Sequence, residues 1–123
     1  MTTDDPALTR AEAAVAAARD AARPEPEHSK ALAAALLGLS NELERLENVN
    51  DAHDAAGQAI DALKTPFLKA PQSLAAPMRD AVSRYLELSA MAGAKPDSAR
   101  LEPIAQALGS VMRIEDDLED SKW

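Results

Sequence analysis

Leucines at positions 32, 36, 39, 43 and 46 recur every three or four residues, with Asn41, Glu44, Arg45 and Asn48 on the other side. That period predicts an amphipathic helix over 29–47. Four weaker patterns flank it. Leu8, Ala11, Val15, Ala18 and Ala22 give a helix over 7–22, opened by Asp5-Pro6 and stopped by Pro24 and Pro26. The turn Asn48-Val49-Asn50-Asp51 leads into a helix over 52–64, with Ala52, Ala56, Ala59, Ile60 and Leu63 inward and Pro66 as its limit. Met78, Val82, Tyr85, Leu86 and Ser89 mark a helix over 73–92, with Ser73 as a candidate cap and Gly93 as its stop. Leu101, Ile104, Ala105, Leu108, Val111 and Met112 mark the last, over 98–114. Residues 115–123 read as an acidic tail, and Leu37, Phe67, Leu68 and Leu74 are expected to lie more exposed than a monomer prefers. The expectation is an all-α chain of about five helices in antiparallel hairpins, forming a stack or a bundle as one domain over 1–123.

Composition narrows this further. Among the 123 residues stand 28 Ala and 15 Leu against 4 Val and 3 Ile, so β-sheet is disfavoured and the helix faces are thin. A thin core makes a homo-oligomer a reasonable expectation. The formal charge of −8 disfavours nucleic acid and anionic lipid, and three aromatics leave no platform for stacked bases. With no cysteine there is no disulfide or thiolate chemistry. The N-terminus is acidic where a secretory leader is basic, and the longest apolar run, Ala31 to Leu37, is far too short for a membrane span. A soluble, cytoplasmic protein is expected.

Features recur after about 45 residues, the range of helical repeats. Pro26 answers to Pro71, Ser29 to Ser73, and the stop near Glu47 to Gly93. The run from Leu32 to Leu43, with Leu36, Leu39-Ser40 and Leu43 as large, large–small and large positions, resembles the first helix of a tetratricopeptide repeat. Ala52 and Ala59 stand where that family wants small residues on its second helix. The likeness is clear over about residues 30–63 and is to the long, alanine-rich type of actinobacterial repeat proteins. A weaker second copy takes Val82, Tyr85, Ser89, Gly93, Ser98 and Ala105, with Leu86 at a position that should be small. An ordinary helical bundle unrelated to the family accounts for the same pattern.

The resemblance implies a scaffold or adaptor that binds a protein or peptide noncovalently on the face lined by first helices. Carried over by position, that face comprises Ala34, Leu37, Asn41, Glu44 and Arg45, then Asp80, Ser83, Glu87, Ala90 and Met91. Asn41 can hold a ligand backbone by two hydrogen bonds, and Arg45 can pair with a carboxylate. Alternatively these are a solvated polar face, and the chain is a self-associating structural subunit. His53, with Gly57 four residues on, resembles the phosphorylated histidine of a phosphotransfer domain, although Ala56 stands where that family has a lysine. The plain alternative is an exposed histidine near a helix start. Asp116-Asp117-Leu118-Glu119-Asp120 has a magnesium-diphosphate spacing without a second motif, and reads as tail. No enzyme, cofactor or metal is expected.

Overall fold

The computed structural model describes residues 5–21 and 24–120, and of 110–120 the backbone alone. Five helices follow in order: α1 (Pro6–Asp20), α2 (Glu27–Arg45), α3 (Val49–Lys69), α4 (Pro71–Ala92) and α5 (Ser98–Asp120). There is no strand among the described residues, and the all-α expectation holds. Each helix packs against the next, and α2 lies beside α4 as α3 lies beside α5. No described contact brings α1 back onto α4 or α5, so the arrangement stays open at that end.

Local chemistry explains most helix limits. The Asp5 carboxylate accepts hydrogen bonds from the Ala7 and Leu8 amides at 2.9 and 3.0 Å, and Pro6 takes the first helical position. At the end of α2, Asn48 N–H donates to the Leu43 carbonyl and Glu47 N–H to Glu44, with Glu47 at φ 63°. At the end of α4, Ala94 N–H donates to Ser89 and Gly93 N–H to Ala90, with Gly93 at φ 67°. Both helices therefore close in the same left-handed motif, 46 positions apart. Glycine adopts that conformation freely, whereas Glu47 does so against its Cβ.

Several expected limits shift. The helix expected over 7–22 ends at Asp20, with Ala21 capping it and residue 22 outside the described residues. That expected over 29–47 spans 27–45, because the closing motif consumes Leu46 and Glu47. The largest change is in the third helix, expected over 52–64 and found over 49–69. Asn48 precedes its first residue, so Asp51 lies within the first turn rather than before it. At the other end the helix runs through Pro66, because Phe67 one position on is wholly buried and holds the last turn. Pro71 then ends it. Proline has no amide hydrogen to continue α3, and it pushes Ala70 to φ −142°, ψ 73°. The same proline starts α4, so this helix begins before Ser73 and Ser73 is not its cap. Asp97 caps α5 through the Ala99 amide at 3.0 Å. The helix continues over 115–120, where a tail was expected, since neither proline nor glycine follows Gly109 to stop it. Residues 121–123 lie outside the described residues.

The core is centred on α3. Its face of Ala52, Ala56, Ala59, Ile60, Leu63 and Phe67 is fully buried, and the alanines let α2 and α4 approach closely. Leu36, Leu74, Met78, Tyr85, Leu88 and Ile104 complete it from the neighbouring helices. Phe67 and Leu74 are thus interior residues, contrary to the expectation of exposure, because α3 is longer and α4 starts earlier than the sequence suggests. Leu68 is exposed as expected and Leu37 is half-buried. On α2 the buried line is Ser29, Ala33, Leu36 and Ser40, so Leu32, Leu39 and Leu43 pack at its edge and Leu46 is exposed. Leu86 and Ala105 also turn outward, while the side chains of Val111 and Met112 lie outside the described residues. No described helix is long and apolar enough to cross a membrane.

Candidate functional site

Because α2, α3 and α4 alternate in direction, α2 and α4 run side by side and present their outer faces together. Ala34 and Asn41 on α2 are exposed, and Leu37 between them is half-buried. Asp80, Ser83, Glu87, Ala90 and Met91 on α4 are all exposed. Most of the residues expected to line a binding face are therefore accessible, while Glu44, Arg45 and Glu87 are already held in ion pairs.

Arg84 is the residue that joins the two strips, and sequence reasoning missed it. Its guanidinium pairs with Glu44 of α2, donates to Glu87 Oε1 at 2.8 Å, and reaches the Ser40 hydroxyl at 3.3 Å and the Ser40 carbonyl at 3.4 Å. Ser40 Oγ itself donates to the Leu37 carbonyl at 2.8 Å. Two expected binding carboxylates, Glu44 and Glu87, are thus held by one cation that locks α2 against α4. The available signal was position alone: Arg84 falls between Asp80 and Glu87 on α4, on the border of its buried face.

Arg45 is likewise occupied. Its Nη2 donates to both Asp5 oxygens, at 2.8 and 2.9 Å, and its Nε donates to Glu42 at 2.8 Å. Those carboxylates raise the Arg45 guanidinium above its ordinary value, Asp5 most of all. In return, the Arg45 hydrogen bond and then the Leu8 amide hold the Asp5 carboxyl below the usual carboxylate range. A carboxyl lowered by folding adds stability above its unfolded value, and that stability is lost as pH falls through the lower folded value. We expect the Ala7 and Leu8 amide resonances to shift together only below about pH 4, the ordinary aspartate range, and not to do so in Asp5→Asn. A midpoint at the ordinary value would contradict the Arg45 contact.

His53 sits in a second cluster, where α3, α4 and α5 meet. Its ring stacks on Tyr85 at 4.6 Å and 18°, and Nε2 is 2.8 Å from Ser89 Oγ. The Ser89 hydroxyl donates to the Tyr85 carbonyl at 2.8 Å, so its single proton is committed and His53 Nε2–H is the donor to Ser89. The histidine is half-buried, not exposed, because its position in the second turn of α3 points at α4. This serine–histidine contact is not visible in the sequence, where the two are 36 positions apart. Ser89 is 1% exposed, which leaves no room for a substrate at its oxygen.

Arg100 completes that cluster. It donates to both Asp61 oxygens at 3.0 Å, lies 5.4 Å from the Tyr85 ring centre, and approaches Tyr85 Oη at 3.4 Å. Tyr85 Oη also accepts from the Asp97 amide at 3.1 Å, which fixes the start of α5. Asp61 raises the Arg100 guanidinium above its ordinary value. A Cβ on Gly57 would come within 2.6 Å of Arg100 Nη1 and 3.3 Å of the Tyr85 ring. The glycine that gave His53 its phosphotransfer likeness therefore has a packing reason of its own. No group of three or more histidine and acidic residues among the described ones could hold a metal ion. The chain matches no known family model, no curated protein and no solved structure.

Proposed function

We propose that this chain is a noncovalent interaction module that binds a protein or peptide partner across the paired faces of α2 and α4. The observation that carries this reading is the Arg84 bridge. Through Glu44 and Ser40 it ties α4 to α2 as one face, while it holds Glu87 on its own helix, and the uncharged Ala34, Asn41, Ser83 and Ala90 stay accessible beside the apolar Leu37 and Met91. Polar groups with spare hydrogen-bonding capacity among small and apolar residues suit a peptide backbone with modest side chains. The open helix order and the matched endings of α2 and α4 favour a tetratricopeptide-like stack over a closed bundle. Arg45 contributes to such a face only where Asp5 leaves it.

The test pairs the native chain with Asn41→Arg/Ser83→Arg as baits in lysate of the source cells. Both positions are exposed, so helicity and melting temperature should be unchanged. A partner retained by the native chain and reduced at least tenfold with the variant is the expected result. Equal retention by both would place recognition elsewhere.

The reading in which His53 accepts a phosphoryl group fares less well on the geometry. Its Nε2 is engaged with Ser89, one ring face is covered by Tyr85, and Gly57 is filled by Arg100. Acid-labile phosphate on His53 after incubation with a small phosphodonor would reinstate it.

A further inference from the structure

We infer that the segment held on the α2–α4 face is an extended, basic peptide with two arginine or lysine side chains three positions apart, an inference that rests on the α2–α4 reading of recognition. The balance of charge on the face carries it. Three carboxylates, Glu44, Asp80 and Glu87, share the strip with one cation, Arg84. That cation pairs with Glu44 and Glu87, while Asp80 one turn before it is exposed and pairs with no described residue. Glu87 meets Arg84 through Oε1 only and keeps 62% of its side chain exposed. The other described cations of these helices are taken. Lys30 pairs with Glu27 and Arg45 with Asp5 and Glu42, and Arg79 is half-buried and engaged. The excess is local, because on α3 Asp51, Asp54 and Asp61 stand against Lys64 and Lys69, with Arg100 on Asp61. A cationic partner therefore finds complementary charge on the α2–α4 face and not on the α3 side.

Spacing defines the peptide further. Asp80 and Glu87 stand two turns apart on one side of α4, about 10 Å along its axis. In a polyproline II chain, with three residues per turn and about 3.1 Å rise, side chains at i and i+3 share a face at about 9 Å. A β-strand does not match, since its same-face side chains fall at about 7 or 13 Å. A helical occupant would satisfy its own backbone. Asn41 and Ser83, exposed and without a described hydrogen bond, suit a backbone whose groups are free. Half-buried Leu37 and exposed Met91 give the stems of the basic side chains an apolar surface.

Fluorescence anisotropy with a labelled Pro-Arg-Pro-Pro-Arg-Pro peptide tests it, beside one with glutamate for arginine and one with its arginines adjacent. The first should bind the native chain, the adjacent-arginine peptide more weakly, and the glutamate peptide not at all. Two exposed charge contacts are together worth about tenfold in affinity. Asp80→Asn/Glu87→Gln should lose that factor, with the Arg84–Glu44 pair intact. Glu12→Gln/Asp54→Asn removes the same charge from α1 and α3 and should keep the native affinity, and all four positions are exposed. Equal losses in the two double variants, no binding of the arginine peptide, or equal binding of the glutamate peptide would overturn the inference. The α2–α4 reading fails separately. If the lysate partner lost by Asn41→Arg/Ser83→Arg is kept in full by Asp80→Asn/Glu87→Gln, the face stands and the basic occupant falls.

Discussion

Phe67→Ala should lower the unfolding free energy by roughly 3–5 kcal/mol, as truncation of a fully buried phenylalanine does. Small domains hold about 5–15 kcal/mol in all, so the variant should sit near the limit of folding. The side chain is 0% exposed and stands directly after Pro66, which deprives α3 of one hydrogen bond. Burial of Phe67 is what offsets that loss, so the truncation should also free the turn from Pro66 to Ala70. Urea melts of the native chain, Phe67→Ala and Phe67→Leu measure it, with leucine retaining most of the stability. A loss under about 1 kcal/mol, well below the large-to-small range, would mean that α3 does not carry Phe67 into the core.

Arg84→Ala is expected to cost about 2 kcal/mol, between the worth of an exposed ion pair and the cost of breaking a fully buried one. The intermediate size follows from exposure. The Arg84 side chain is 15% exposed, Glu44 33% and Glu87 62%, so water screens part of the attraction. Removal leaves Glu44 half-buried beside the Ser40 carbonyl without its cation. Substituting Glu44→Gln together with Arg84→Met should recover much of the loss, because the stem still packs and the unpaired charge is gone. If Arg84→Ala were neutral in a denaturant melt, the two helices would not depend on this bridge, and the face would lose its rigidity argument.

How far the sequence reveals this molecule differs from element to element. The Asp5 cap and the Gly93 stop are written locally and are found where their chemistry places them, and the α2 period locates that helix although not its buried line. The length of α3 is not. Pro66 signals a break, and only the contact of Phe67 with distant helices shows that the helix continues. Likewise, α2 rolls from its leucine line towards Ser29, Ala33, Leu36 and Ser40, because alanine-faced α3 packs closest against small residues. At the candidate site, exposure of Asn41, Ser83 and Met91 followed from helical position. Pairing did not, since Arg84 with Glu44, Arg45 with Asp5, and His53 with Ser89 join residues 36 to 40 positions apart that no local rule connects.

The central claim is that recognition occurs on the joined faces of α2 and α4. Amide chemical-shift mapping of the labelled chain, with the captured partner added stepwise, tests it most directly. The account predicts shifts concentrated at Ala34, Leu37, Asn41, Ser83, Glu87 and Met91, with the α3 core unmoved. Shifts confined to α1, α5 or the His53–Tyr85 cluster, with that strip silent, would contradict it.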